Sequence, residues 1–148
     1  MTVEDRAVDF FTQGYSCAQS VLAACAETIG LTEAQAIQLG SALGAGICGL
    51  RDTCGAVLAM VAVWGARFAP TTPMDAKTKA NLYAQAQALV KSFDETYGTH
   101  NCKALLQQAS IEKQAGVAPE ARTAAYYAKR PCAKFVAFCA KAALQASF

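Results

Sequence analysis

Cysteine is the residue type with the clearest chemical potential in this sequence. The chain carries seven cysteines and a single histidine among its 148 residues. Thiolates attack disulfides and ligate soft metal ions, but neither the Cys-x-x-Cys motif nor the paired histidines of zinc fingers occur. The cysteines therefore predict redox or metal chemistry, and their odd number argues against a fully paired disulfide framework.

Four of the cysteines directly follow a residue that is expected to start a helix. The pairs are Ser16–Cys17, Thr53–Cys54, Asn101–Cys102 and Pro131–Cys132. The first turn of a helix offers unpaired backbone N–H groups and the positive end of the helix dipole, and both stabilise a thiolate. We therefore expect the four sulfurs to share one pocket, and Arg51, Lys129 and Arg130 lie near them in sequence.

The other three cysteines have different surroundings. Cys25 lies inside an expected helix about two turns after Cys17, and Cys139 lies on an apolar stripe of the last helix. Buried cysteine is an ordinary small core residue, so both are predicted to pack in the core. Cys48, in a glycine-rich loop six residues before Cys54, is close enough in sequence to reach the same pocket.

The helices that must position these residues follow from apolar spacing and capping signals. Alanine is abundant, and apolar residues recur at intervals of three and four, which is typical of α-helices. The fifth expected helix starts with Thr72 as its cap and Pro73 at its first position. The expected helices cover residues 3–13, 16–30, 32–43, 54–68, a long stretch from 72, a short stretch from 101, 120–129 and 131–146.

These helices predict an all-α fold, a single compact domain over residues 1–148 that forms a bundle of about six to eight helices. The helix over 54–68 is apolar on all sides, which favours a buried position at the centre of the bundle. It is shorter than the ~20 apolar residues that span a bilayer, so no membrane association is expected. Residues 1–14 do not resemble a secretory signal, and a cytoplasmic location is expected.

Composition restricts the possible partners. A net charge of +2, scattered along the chain, does not favour binding to nucleic acid. The glycine-rich loop lacks the Lys-Ser/Thr of a phosphate-binding loop. Hydrophobic residues make up 54% of the chain, more than a small bundle is expected to bury, so a homodimer is predicted.

Four segments of the sequence resemble the C_GCAxxG_C_C family, which is associated with redox activity. The segments are GYSCAQSVLAAC, LGAGICGLRDTCGAVLAMVAVWG, GTHNCKALL and RPCAKFV. The resemblance implies a shared set formed by Cys17, Cys54, Cys102 and Cys132. The sequence departs from the family pattern at Ala59, where a closing glycine is expected, and at Cys48. The family is similar to a domain of split-Soret cytochrome c, which favours an iron–sulfur centre, but no covalent haem is expected because Cys-x-x-Cys-His does not occur.

The cysteine pattern is compatible with three functions. The first is electron transfer through an iron–sulfur cluster bound by Cys17, Cys54, Cys102 and Cys132, with Cys48 as a further candidate. The second is a metal-free thiol–disulfide redox protein or sensor in which the same four cysteines react. The third is a structural zinc site with these cysteines as ligands. His100 is a further ligand candidate, although an isolated loop histidine is usually exposed. The pattern leaves open whether the protein is an enzyme and which redox partner it has.

Overall fold

Eight α-helices and no β-strand are found in residues 1–145, the part of the chain described by this computed structural model. This confirms the all-α prediction, and the expected end of the last helix at residue 146 lies outside the described residues. The helices are α1 (Val3–Thr12), α2 (Cys17–Cys25), α3 (Glu33–Gly40), α4 (Gly55–Phe68), α5 (Ala76–Tyr97), α6 (Cys102–Gln108), α7 (Ala124–Lys129) and α8 (Cys132–Gln145).

Side-chain caps determine where several helices begin. Ser16 and Thr32 form capping boxes with Gln19 and Gln35, so α2 and α3 start where the sequence predicted. The predicted start of α5 at Thr72 and Pro73 was wrong. The helix begins at Ala76, because the carboxylate of Asp75 accepts a hydrogen bond from the backbone N–H of Thr78 at 2.7 Å.

Two other predicted boundaries also need correction. The helix predicted over 16–30 ends at Cys25, and the short 3-10 helix Glu27–Ile29 follows it before Gly30 turns the chain at a φ of 76°. The helix predicted over 120–129 begins only at Ala124, because the Thr123 side chain caps it by accepting from the N–H of Tyr126.

The apolar helix α4 packs against α2, α5 and α8, which gives it a central position in the bundle. Met60, Val63 and Trp64 are among its fully buried residues. This confirms the predicted central and largely buried position of the helix, whose exposed residues include Ala62 and Ala66 on its outer face. None of the helices in residues 1–145 combines the length and the apolar character needed to cross a bilayer.

Helices α2 and α8 lie side by side and run in the same direction. Cys17, at the start of α2, and Cys132, at the start of α8, line the same cavity and lie close enough that each shifts the pKa of the other. Further along, Sγ of Cys25 lies 3.9 Å from the carbonyl oxygen of Ala140. The N-terminal ends of α2 and α8 therefore meet at the same end of the bundle.

Candidate functional site

A cavity of about 360 Å³ lies where the N-terminal ends of α2, α4, α6 and α8 converge. All four of the helix-start cysteines line it: Cys17, Cys54, Cys102 and Cys132. Three of them are the first residues of their helices, whereas Cys54 is the N-cap of α4 rather than a residue of its first turn. The structure thus brings together four thiols that are widely separated in sequence.

Backbone pairing places Cys54 next to Cys102. The N–H of Cys54 donates to the carbonyl oxygen of His100 at 2.8 Å, and the N–H of Cys102 donates to that of Asp52 at 2.6 Å. Thr53 and Asn101 form an isolated antiparallel bridge between these two bonds. The starts of α4 and α6 are therefore fixed to each other, and their cysteines face the cavity together.

The glycine-rich loop before α4 forms one wall of the cavity in a left-handed conformation. Five consecutive residues, 45–49, have positive φ, and Arg51 has a φ of 57°. Each non-glycine residue in this conformation costs roughly 1–2 kcal/mol. Backbone hydrogen bonds hold the turn, from Arg51 to Ala45 at 3.0 Å and from Asp52 to Gly46 at 2.8 Å. Such strain is typical of functional sites, and here it places Arg51 at the cavity.

Residues 116–122, here called the strap, cover the opposite side of the cavity. The N–H of Gly116 donates to the carbonyl oxygen of Gly49 at 2.9 Å, so the strap contacts the left-handed loop directly. At its other end, Arg122 donates to the carbonyl oxygens of Phe11 and Tyr15 at 3.1 and 3.2 Å. The strap is therefore anchored at both ends and lines the same cavity as the thiols.

Cys17 and Cys132 form the most strongly coupled pair of thiols in the cavity. The hydrogen bond that Cys17 donates holds the pKa of the Cys132 thiol below its usual value, and Arg130, Arg122 and Arg51 add to this effect. The same hydrogen bond, together with burial, raises the pKa of Cys17 well above its usual value. Cys132 is thus the more acidic thiol of the pair.

The other two cavity thiols remain protonated near neutral pH. Burial raises the pKa of Cys54 to about 12, although the backbone N–H groups of Ala56 and Val57 oppose this rise. Burial also raises the pKa of Cys102, while Nη1 of Arg51, 3.8 Å from its sulfur, acts in the opposite direction. The helix N-terminus favours the thiolate at Cys54, as expected, but burial has the larger effect on the pKa there.

Three arginines supply positive charge to the cavity wall. Arg51 and Arg130 line it as their sequence positions suggested, whereas Lys129 is exposed and outside it. Arg122, which sequence reasoning missed, stacks on the rings of Phe11 and Tyr126 at 4.8 and 4.7 Å. Phe11 is more than a hundred residues away along the chain, so no local signal in the sequence could have identified this role.

The remaining candidates lie outside the set of four thiols. Cys48 is exposed and lines the cavity, while Cys25 and Cys139 are fully buried in the apolar core. The ring of His100 lies outside the cavity, with Nδ1 2.9 Å from Oδ1 of Asp94. His100 contributes to the site only through its backbone carbonyl, which accepts the hydrogen bond that positions Cys54.

The arrangement differs from that of a preformed single-metal site. Within residues 1–145, no three His, Cys, Asp or Glu side chains are placed so that they could hold one metal ion. The cavity instead joins a coupled pair of thiols, two further thiols and a cationic wall. This combination can stabilise a thiolate and place a second thiol beside it.

Comparison with known proteins agrees with the cysteine pattern. A family model described as "Putative redox-active protein (C_GCAxxG_C_C)" matches residues 15–146, a range that contains all seven cysteines. No curated protein and no solved structure matches the chain significantly. Since the family model covers most of the chain, the protein belongs to the C_GCAxxG_C_C family of redox-active proteins.

Proposed function

We propose that the protein performs thiol–disulfide exchange with Cys132 as the attacking thiolate and Cys17 as the second cysteine. The observation that supports this most directly is the proximity of the two thiols at the wall of one cavity, where each shifts the pKa of the other. The thiolate is the nucleophile in disulfide exchange, and a neighbouring thiol provides the second sulfur of the product disulfide.

The proposed reaction consumes a disulfide substrate and balances in two steps. The thiolate of Cys132 attacks one sulfur of the substrate disulfide, forms a mixed disulfide and releases the other half as a thiolate, which takes the proton of Cys17. Cys17, now ionised, attacks Sγ of Cys132 and releases the second half as a thiolate, which takes a proton from water. The substrate gains two electrons, and the protein keeps a Cys17–Cys132 disulfide.

The surrounding arginines support the first step of this reaction. Arg130, Arg122 and Arg51 favour the negative charge on Cys132 before the attack. Cys102 and Cys54 remain protonated beside the reacting pair, since burial raises the pKa of both. We assign these two thiols to the wall of the substrate cavity.

An iron–sulfur cluster is the second candidate, because four cysteines from four helix starts line a single cavity. When bound, such a cluster supplies one-electron transfer, and its thiolate ligands would be Cys17, Cys54, Cys102 and Cys132. Zinc requires three or four ligands placed around one ion, an arrangement that residues 1–145 do not contain. We therefore do not propose the structural zinc site.

The proposed exchange can be tested by mapping disulfides. Reduced protein is treated with bis(2-hydroxyethyl) disulfide, a neutral reagent, and its peptides are analysed by mass spectrometry. We expect a Cys17–Cys132 disulfide that Cys132→Ser abolishes and that Cys139→Ser, a change in the core, leaves intact. Oxidation without this disulfide would contradict the proposal. Stoichiometric iron and visible absorbance after anaerobic purification would support the cluster instead.

A further inference from the structure

The charges that face the cavity are unbalanced. Its lining contains three arginines and one carboxylate, that of Glu120. Glu120 is already engaged, with Oε2 2.7 Å from Nη2 of Arg130 and Oε1 3.8 Å from Nζ of Lys113. The cavity therefore retains positive charge that its own carboxylate does not neutralise.

Two of the three arginines have structural partners. Arg130 is only 8% exposed and is paired with Glu120. Arg122 donates to the carbonyl oxygens of Phe11 and Tyr15 and stacks on aromatic rings, so it fixes the strap. Both guanidinium groups therefore already have a polar partner within the described residues.

Arg51 is different from both. Its Nε is buried and has no hydrogen-bond partner within residues 1–145, and no carboxylate of that range pairs with it. Among the described residues, its one polar side-chain contact is with the sulfur of Cys102, 3.8 Å from Nη1. A buried polar group without a partner costs free energy, and the left-handed backbone at Arg51 adds strain. An anion that accepts from Nε and an Nη would satisfy this side chain.

We propose that the substrate is a low-molecular-weight disulfide that carries a carboxylate, with the carboxylate on Arg51 and the disulfide beside Cys132. This inference rests on the proposed thiol–disulfide exchange. A volume of about 360 Å³ suits a small molecule, and the strap, tied to Gly49 and to Phe11, forms part of the wall of this cavity. The carboxylate and a guanidinium form two parallel charge-assisted hydrogen bonds, which also orient the disulfide.

The charge preference can be measured with three disulfides of similar size. They are 3,3′-dithiodipropionate, which is anionic, bis(2-hydroxyethyl) disulfide, which is neutral, and cystamine, which is cationic. For each reagent we measure the rate at which the Cys17–Cys132 disulfide forms. This rate is divided by the rate at which the same reagent exchanges with 2-mercaptoethanol, which corrects for its intrinsic reactivity. We expect the anion to exceed the neutral reagent by at least about tenfold, the factor that corresponds to 1.4 kcal/mol, and cystamine to be slowest.

Variants of Arg51 show whether this residue is the cause. Arg51→Met keeps an apolar stem of similar length, and we expect it to remove the preference for the anion. Arg51→Lys keeps the charge without the planar fork and should retain part of the preference, so it also serves if the methionine variant does not fold. Lys129→Met removes one nearby exposed charge and should leave the preference unchanged. An equal preference in wild type and Arg51→Met would overturn the assignment.

A binding experiment separates this inference from the exchange reaction. Suberate has the chain length of 3,3′-dithiodipropionate but no disulfide, so it cannot react. Calorimetry should detect its binding to reduced wild-type protein and at least about tenfold weaker binding to Arg51→Met. Suberate binding without disulfide exchange would refute the proposed reaction and keep the anion site. Exchange with no effect of Arg51→Met on suberate binding would refute the anion site alone.

Discussion

Helices α2 and α8 each carry two cysteines, and the two pairs that they form lie in different surroundings. Cys17 and Cys132 meet at the helix starts, beside a cavity with arginines in its wall. Cys25 and Cys139 lie further along the same helices, at 0% exposure in an apolar core. Burial raises the pKa of Cys25 to about 12 and that of Cys139 well above its usual value, whereas the pKa of Cys132 is lowered.

The difference shows that burial alone does not determine the reactivity of a cysteine. Cys132 is itself only 9% exposed, yet the hydrogen bond from Cys17 and the nearby guanidinium groups outweigh its desolvation. At Cys25 the charges of Arg6 and Arg67 also act against burial but do not overcome it. A hydrogen-bond donor placed directly on the sulfur is the deciding contribution.

The largest expected contrast between the two pairs is in alkylation by iodoacetamide. At pH 8 the thiolate fraction of a thiol with a pKa of about 12 is about 10⁻⁴, so Cys25 should react on the order of a thousandfold more slowly than Cys132. Timed labelling of the folded protein, followed by peptide mass spectrometry, measures both rates. Comparable alkylation rates of Cys25 and Cys132 in folded protein would contradict this expectation. Labelling in denaturant is the control, because all thiols react there.

The second contrast concerns stability at alkaline pH. An unfolded thiol ionises near pH 9.0, but Cys25 stays protonated up to a pKa of about 12 in the folded chain. The unfolded state therefore binds fewer protons between these values, and each such thiol lowers the free energy of unfolding by about 1.4 kcal/mol per pH unit above pH 9. Urea unfolding between pH 8 and 11 measures this effect. The free energy of unfolding should fall less steeply with pH in the double variant Cys25→Ala/Cys139→Ala than in wild type.

Ala62→Ser provides the control for this experiment, because Ala62 is exposed on the outer face of α4 and carries no titratable group. Its alkaline decline in the free energy of unfolding should match that of wild type. A core double variant with the same slope as wild type would show that Cys25 and Cys139 do not retain their protons.

A smaller effect is expected when only the hydrogen-bond donor to Cys132 is removed. In Cys17→Ala the thiolate loses its main stabilising contact, so the pKa of Cys132 should rise and its alkylation at pH 7 should slow severalfold. The pH dependence of iodoacetamide labelling measures this shift. Cys54→Ala is the control, since it removes a neighbouring thiol without removing the donor. If the pH midpoint of labelling is the same in Cys17→Ala as in wild type, the hydrogen bond from Cys17 is not the cause of the lowered pKa of Cys132.

The smallest effect is expected from a single change in the core pair at neutral pH. Cys139→Ala removes one buried sulfur and should cost roughly 1 kcal/mol of the free energy of unfolding. The rate at which the Cys17–Cys132 disulfide forms should be unchanged, which disulfide mapping over time can verify. A large loss of exchange rate in Cys139→Ala would mean that the two pairs are not independent.

Local signals in the sequence predicted the helices and the placement of the cysteines well. The capping boxes at Ser16 and Thr32 depend on residues only three positions apart, so they are readable without the fold. The start of α5 was misplaced because Thr72 and Pro73 match the same signals that Asp75 provides in the structure. Competing caps within a few residues cannot be ranked from the sequence alone.

The electrostatics of the cavity could not be predicted in the same way. Helix starts suggested thiolates at four positions, but the protonation of each thiol depends on desolvation and on which sulfur receives the hydrogen bond. Arg122 acts at the site through contacts with Phe11 and Tyr15, far away along the chain. Such effects arise only when distant segments have packed together.

The parallel arrangement of α2 and α8 also determines when Cys17 and Cys132 can first meet during synthesis. Cys132 follows Cys17 by 115 residues, so during synthesis the first thiol leaves the ribosome long before the second. Until α8 has been made and has docked, Cys17 cannot contact the sulfur of Cys132. The order of translation thereby keeps these two sulfurs apart until the last helix of the described chain has been made.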